Sequence, residues 1–166
     1  MKNKGTQFLA EAAMIGAIYV VLTILFAPLS YGEVQIRLSE ALTILPYFTP
    51  AAIPGLFVGC IIANLFGGAI PVDMIFGSIA TLIGAVFTYK LRNTPRFLAP
   101  VPPIAANAVI VPFVLRFGYG VNLPIPLMML TVGIGEVVSC GVFGLVLQTA
   151  LLKYKNIIFR SNRSSF

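Results

Sequence analysis

Long apolar segments separated by short polar ones make up most of this 166-residue chain. They lie at residues 8–29, 53–65, 74–89, 97–115 and 127–152. Most of them approach the roughly 20 residues that a helix needs to cross a bilayer. The pattern predicts an all-α integral membrane protein, built as one compact bundle of transmembrane helices.

The stretch after the first apolar segment is less regular. Residues 31–37 alternate polar and apolar side chains, which predicts a short strand or an extended loop over the outer face of the bundle. Residues 38–48 then form a second element that Pro46 interrupts. Because 11 to 15 helical residues cover only about 16 to 22 Å of a ~30 Å hydrocarbon core, this element is either a short span or half of a re-entrant pair.

The charged residues support a membrane protein and indicate which ends of its helices face the cytoplasm. Hydrophobic residues make up 58% of the chain and charged residues 10%, whereas soluble proteins have about 25% charged residues. Nine of the eleven basic residues form three clusters, namely Lys2 with Lys4, Lys90 with Arg92 and Arg96, and Lys153 with Lys155, Arg160 and Arg163. Basic residues accumulate on the cytoplasmic side, so both termini and the loop at residues 93–97 are expected there.

Cytoplasmic termini require an even number of crossings. Counting the short second element gives six, at residues 6–27, 38–48, 51–67, 73–91, 98–117 and 126–154. We therefore expect a six-helix domain at residues 1–156 in the cell membrane and a cytoplasmic tail at residues 157–166. The basic residues lie at helix ends and not along a groove with interleaved aromatic residues, which argues against nucleic acid as a partner.

Several kinds of chemistry lack their residues in this sequence. Cys60 and Cys140 lie in apolar segments, and the chain has no histidine, so we expect buried thiols and no metal site. No nucleotide-binding loop and no nucleophile with an adjacent base are discernible, so neither ATP hydrolysis nor another enzyme activity is expected. No cofactor is predicted, and a transporter built on this chain needs an external source of energy.

Six polar side chains fall within the predicted spans or at their ends, where an ionisable group costs about 2.5 to 3.5 kcal/mol. They are Arg37, Glu40, Asn64, Asn107, Arg116 and Glu136. Their similar depth predicts a polar pocket that opens outward. The alternative is that Arg37 pairs with Glu40, Arg116 pairs with Glu136, and the asparagines bond between helices. Glu136 is too deep for its charge to reach the interface, which favours a ligand role for it.

Two other acids and several small residues have simpler interpretations. Glu11 is expected at the inner end of the first helix, and Asp73 is expected to cap the start of a later one. Small residues spaced four apart allow helices to approach closely, as in Ala12/Gly16, Gly55/Gly59 and Ala80/Gly84. Ala13, Gly16 and Ala17 form a smooth strip on the first helix that either packs internally or docks a partner helix.

The chain also carries recognisable motifs. They include VQIRLSEALTILP at residues 34–46, TPAAIPGLF at 49–57, ANLFG at 63–67, DMIFGSIATL at 73–82, LAPVPP at 98–103 with Asn107, and GIGE at 133–136. Together they resemble the QueT family of queuosine-precursor transporters, which are substrate-binding (S) components of energy-coupling factor (ECF) transporters. The block RLSEAL is the most specific part of this resemblance.

The resemblance implies a six-helix S component that captures a 7-deazaguanine base outside the cell. Such components associate with a transmembrane coupling subunit and two ATPase subunits, which supply the energy. In this wider group an A-x-x-x-A motif on the first helix contacts the coupling subunit. Ala13 and Ala17 match that motif, which favours docking for the strip that also includes Gly16.

Chemistry and depth suggest a role for each polar residue. Glu136 is the first choice to accept two parallel hydrogen bonds from the N–H and NH2 donors of the base. Glu40 is suited to a cationic aminomethyl substituent, and Asn64 and Asn107 to the carbonyl and ring nitrogens. Arg37 and Arg116 complete the polar part of the site, and the candidates for stacking on the base are Tyr31, Tyr47, Phe48 and Phe66. Two alternatives stay open, an S component for another vitamin such as thiamine or riboflavin, and a structural or regulatory membrane subunit without a ligand.

Overall fold

The computed structural model describes residues 4–26 and 37–158. Within these ranges the chain forms six main helices and no strand, with two short 3₁₀ turns at Leu91–Asn93 and Arg96–Leu98. The main helices are α1 (Lys4–Leu25), a 3₁₀ helix (Leu38–Tyr47), α2 (Ala52–Phe66), α3 (Pro71–Lys90), α4 (Val101–Phe113) and α5 (residues 125–158). The predicted all-α membrane bundle of six helices is confirmed. Three predictions fall largely outside the described residues. They are the strand or extended loop at residues 31–37, of which 31–36 are not described, the end of the first helix at residue 27, and the tail at residues 157–166, of which 159–166 are not described.

Among the described residues, four helical segments are long and apolar enough to cross a membrane. They are Lys4–Leu25, Pro71–Asn93, Arg96–Gly118 and Ile125–Tyr154. The 15 residues of α2 cover only about 22 Å. The ten-residue 3₁₀ helix, at about 2.0 Å per residue, covers about 20 Å. The predicted short second element is therefore present as a 3₁₀ helix. Its larger rise per residue makes it almost as long as α2.

The five α-helices pack in chain order, each against the next. The 3₁₀ helix lies inside this arrangement and contacts α1, α3 and α5. Residues 39–46 are all buried. A run of 3₁₀ helix this long is uncommon and often marks a functional or strained segment. Its position in the interior places the side chain of Glu40 deep in the bundle.

Glycines allow close contact between neighbouring helices. A Cβ atom on Gly55 of α2 would lie 2.6 Å from the carbonyl oxygen of Ala12 on α1, and one on Gly16 would lie 2.9 Å from the carbonyl oxygen of Gly55. A Cβ atom on Gly84 of α3 would likewise lie 2.7 Å from the Cα atom of Pro103 on α4. The small-residue spacings predicted from the sequence therefore form helix contacts within the bundle.

We expect Gly55→Ala to destabilise the folded protein by about 1 to 3 kcal/mol, because the added methyl group overlaps backbone that cannot move independently. Thermal unfolding in detergent measures the change. Gly133→Ala on α5 is the matched control, since its new Cβ would meet only the Ala108 Cβ, at 3.8 Å, and should be neutral or slightly stabilising. Equal stability of the two variants would contradict this packing.

Candidate functional site

Glu40 in the first turn of the 3₁₀ helix is the centre of the polar interior. Its side chain is only 1% exposed, and Oε1 accepts a hydrogen bond from the hydroxyl of Tyr19 on α1. Oε2 has no hydrogen-bond partner among the described residues. The sequence analysis missed Tyr19, although a tyrosine on the same helix face as Ile15 needs a partner for its hydroxyl when buried. One oxygen of a deeply buried carboxyl group is thus available to a ligand.

Glu136 and Cys140 of α5 lie beside Glu40. The Cys140 thiol is 3.1 Å from Glu136 Oε2 and 3.4 Å from the carbonyl oxygen of Glu40. One side-chain ligand atom from each of Glu40, Glu136 and Cys140 lies within 4.8 Å of the other two, and all three residues are buried. A π-helical stretch, Val137–Phe143, begins directly after Glu136. Such stretches are frequent at functional sites because they change which side chains share a face.

Asn107 and Arg37 complete this cluster. The Asn107 amide of α4 is buried and lies beside the carboxyl groups of both Glu40 and Glu136. The guanidinium of Arg37 is also buried and interacts electrostatically with both acids. The structure therefore brings together four of the residues that the sequence predicted to share one pocket.

A second group of polar residues lies between α2 and α3. The Asn64 amide nitrogen is 3.6 Å from the sulfur of Cys60, and the Thr81 hydroxyl is 3.5 Å from the same sulfur. Within the described ranges, Asn64 Oδ1 and the Ser78 hydroxyl are buried without hydrogen-bond partners. Arg37 interacts electrostatically with Cys60 as well as with Glu40, so it connects the two groups.

The predicted capping role of Asp73 is wrong. The residue before α3 is Ile70, and Asp73 lies in the first turn of the helix with its side chain buried. Asp73 Oδ2 accepts a hydrogen bond of 2.9 Å from the Tyr119 hydroxyl, which itself accepts one of 3.4 Å from the Ile70 amide. Burial and the neighbouring Asp73 carboxylate raise the pKa of Tyr119. These bonds fasten the loop after α4 to the start of α3.

Arg116 is not part of the cluster. Its guanidinium donates to the carbonyl oxygen of Val121 at 3.1 Å and to Asn122 Oδ1 at 3.2 Å, so it stabilises the loop that follows α4. The alternative pairing of Arg116 with Glu136 is therefore not formed. The π-helical turn at Val114–Gly118 alters the helical register here, and the sequence did not reveal it.

The predicted stacking residues do not surround the acids. Phe66 is 71% exposed at the end of α2. Tyr47 and Phe48 lie at the opposite end of the 3₁₀ helix, where the Tyr47 hydroxyl is 3.5 Å from the Thr94 carbonyl oxygen. Seven residues of 3₁₀ helix separate Tyr47 from Glu40 by about 14 Å, too far for one base to touch both. Tyr31 lies outside the described residues.

The proposed docking strip on α1 divides into two faces. Ala13 and Ala17 are exposed, whereas Gly16 is buried against Gly55 of α2. Gly16 therefore serves internal packing and is not accessible to a partner. The exposed alanines leave a shallow surface on the outside of the bundle.

Carboxyl, amide and guanidinium groups enclosed by apolar helices define a membrane protein with an internal polar site, as substrate pathways require. A family profile described as QueT transporter matches residues 9–153, and the chain belongs to this family. The resemblance found in the sequence motifs is thereby confirmed.

One curated relative can be compared in more detail. It is the queuosine precursor transporter QueT of Lactococcus lactis subsp. cremoris (strain MG1363), which is 35% identical over 85 residues. The match covers 50% of this chain and 50% of the relative, so the chain is matched to about half of that protein's length. No solved structure matches the chain significantly.

We expect Tyr119→Phe to lower the free energy of unfolding by about 0.5 to 1.5 kcal/mol, because Asp73 loses its hydrogen-bond donor. The raised pKa of Tyr119 means that the folded protein holds this proton more tightly than the unfolded chain does. Its contribution is present below the unfolded pKa of about 10 and is lost as the pH rises through the folded value.

Unfolding measured between pH 7 and pH 11 checks both expectations. The difference between wild type and Tyr119→Phe should shrink at alkaline pH. Tyr154→Phe at the exposed end of α5 is the control and should not change stability. A difference that stays constant over this range would show that the Tyr119 hydroxyl is not responsible.

Proposed function

We propose that this chain binds a 7-deazaguanine precursor of queuosine and carries it across the cell membrane. Membership of the QueT transporter family and the name of the Lactococcus relative support this substrate class. The observation that carries the proposal is the pair of buried carboxyl groups, Glu40 and Glu136, at one point of the bundle interior. The ligand is carried unchanged, so the proposed role is transport and not catalysis.

The donors of such a ligand match the acceptors of the site. A 7-deazaguanine base presents ring N–H and exocyclic NH2 groups, and hydrogen bonds from these groups to a carboxylate are strong because of its charge. Glu40 Oε2 is an acceptor without a partner among the described residues, and Glu136 lies next to it. The adjacent Asn107 amide has both a donor and an acceptor, which suits a ring carbonyl or nitrogen.

The short distance between the two carboxyl groups restricts which groups of the ligand each of them can contact. Their closest oxygens lie within 4.8 Å. A bicyclic base that is hydrogen-bonded at two opposite edges needs acceptors on either side of its rings. In this arrangement Glu40 and Glu136 therefore contact one group of the ligand together, in place of the separate groups expected from the sequence.

Uptake requires energy, for which we propose an ECF module with a coupling subunit and two ATPases. The chain has no nucleotide-binding loop of its own. Ala13 and Ala17 offer an exposed surface on α1 where another helix can approach closely. The basic loop between α3 and α4, with Lys90 and Arg92, faces the cytoplasm in this arrangement, as do both termini.

Glu136→Gln should weaken binding of 7-deazaguanine ligands about tenfold or more. The glutamine replaces one acceptor oxygen with a donor that opposes the ligand, at a cost of about 1 to 3 kcal/mol. Calorimetry of the purified protein in detergent measures the affinity. Thermal stability should be retained, because Arg116 does not depend on Glu136 for its hydrogen bonds.

Glu11→Gln is the control for this experiment. Glu11 is a carboxyl residue of α1 that accepts a hydrogen bond from Thr49 and has no contact with Glu40 or Glu136 among those described. The Glu11→Gln variant should bind the ligand with the affinity of the wild-type protein. Thiamine and riboflavin are tested alongside, and saturable binding of either one, or the absence of any ligand binding, would contradict the proposed function.

Ala13→Trp and Ala17→Trp should leave ligand affinity unchanged and abolish uptake, because a bulky ring prevents approach of the coupling helix. Co-purification with the coupling subunit should fall in parallel. Ile75 on α3 is also exposed, so Ile75→Trp is the control and should assemble normally. Normal assembly of the two alanine variants would exclude this surface as the docking site.

A further inference from the structure

A small space is left open between α2 and α3 at Gly77. This glycine is buried, and a Cβ atom on it would lie 3.0 Å from Asp73 Oδ1 and 3.5 Å from the Asn64 amide nitrogen. Asp73 and Asn64 therefore face the same point on α3 from two different helices. The absence of a side chain at residue 77 leaves room there for a small group between a carboxylate and an amide.

Two polar atoms around this space lack partners. The Ser78 hydroxyl and Asn64 Oδ1 are buried and have no hydrogen-bond partner among the described residues. Both side chains lie beside the thiol of Cys60, which places them close to each other. Buried polar atoms are nearly always paired in folded proteins, so unpaired atoms around an open space indicate a place for a polar group.

The charges around Asp73 indicate what kind of group fits. Asp73 Oδ2 accepts the hydrogen bond from Tyr119, and Oδ1 lies toward Gly77. The buried guanidinium of Arg37 interacts electrostatically with Asp73. Because this positive charge already offsets the carboxylate and repels a second cation, the space is suited to a neutral N–H donor.

We propose that Asp73 and Ser78 of α3 form a second subsite, which binds the edge of the five-membered ring of a 7-deazaguanine. This inference rests on the function proposed above. There the donors of the six-membered ring meet the two buried glutamates, and the N–H of the five-membered ring is left without a partner. Asp73 Oδ1 accepts a hydrogen bond from this N–H, the Ser78 hydroxyl donates to the neighbouring ring nitrogen, and Asn64 closes the subsite from α2.

Calorimetry of the purified wild-type protein with two ligands tests the subsite without any substitution. The ligands are 7-cyano-7-deazaguanine and its 9-methyl derivative, in which a methyl group replaces the hydrogen of the five-membered ring N–H. We expect the methyl derivative to bind about tenfold or more weakly, because Asp73 loses its donor. Equal binding of the two ligands would overturn the subsite and leave the proposed function intact. Failure of both to bind would overturn the proposed function and the subsite with it.

Ser78→Ala separates a contact with the ligand from a structural role. Removal of the hydroxyl should weaken binding of the unmethylated base about three- to tenfold and leave the methyl derivative almost unchanged. Thermal stability should not fall, since the lost hydroxyl has no partner among the described residues. Ser139→Ala on α5 is the matched control, because Ser139 is also a buried serine whose hydroxyl lacks a partner among them, and it should retain wild-type affinity for both ligands. An equal loss for both ligands in Ser78→Ala would contradict the subsite.

Gly77→Ala tests the open space itself. The added methyl group would occupy the position between Asp73 Oδ1 and the Asn64 amide, so affinity for the unmethylated base should fall about tenfold or more. The fold should tolerate the change, because alanine favours a helix and the nearest atom belongs to the end of a side chain that can move. Gly133→Ala, which meets only ordinary contacts, should bind as the wild-type protein does. Wild-type affinity of a folded Gly77→Ala variant would show that no ligand group enters this space.

Discussion

A carboxyl group buried inside an apolar bundle needs hydrogen-bond partners, and those of Glu40 come from separate parts of the chain. The 3₁₀ helix carries Glu40 to the centre, α1 supplies the Tyr19 hydroxyl, and α5 brings Glu136 and Cys140 alongside. Three separate parts of the chain thus meet at one carboxyl group. Its second oxygen has no hydrogen-bond partner within the described residues, which leaves a buried acceptor at the centre of the bundle. A polar ligand that replaces the missing donor would gain binding energy where the apo protein has a penalty.

Close helix packing makes this central position possible. Gly16, Gly55 and Gly59 let α1 and α2 approach almost to backbone contact, which fixes the height of Tyr19 relative to the 3₁₀ helix. The opposite face of α1 carries the exposed Ala13 and Ala17. One helix therefore connects the interior acid with the surface that we propose for the coupling subunit. A shift of α1 on docking would act directly on Glu40 through the hydrogen bond from the Tyr19 hydroxyl.

The sequence predicted the fold class and most of the acidic site, because charged and amide side chains within apolar segments are conspicuous whatever the local geometry. Glu40, Glu136, Asn107 and Arg37 were found in this way. Tyr19 and Cys140 were not, since side chains that are mainly apolar stand out little among apolar neighbours. The distance of Tyr47 from Glu40, about 14 Å, was not predicted, because ten residues are too few for periodicity to distinguish a 3₁₀ helix. Asp73 was misplaced because the helix begins two residues earlier, at Pro71.

The most direct test of this account is a structure of the protein with a 7-deazaguanine ligand bound. We predict that the ligand lies against the first turn of the 3₁₀ helix, with a donor nitrogen within about 3 Å of Glu40 and Glu136. The Tyr19 bond to Glu40 should persist, because it uses the other oxygen. A ligand bound elsewhere, with the two glutamates contacting only protein atoms, would contradict the central claim.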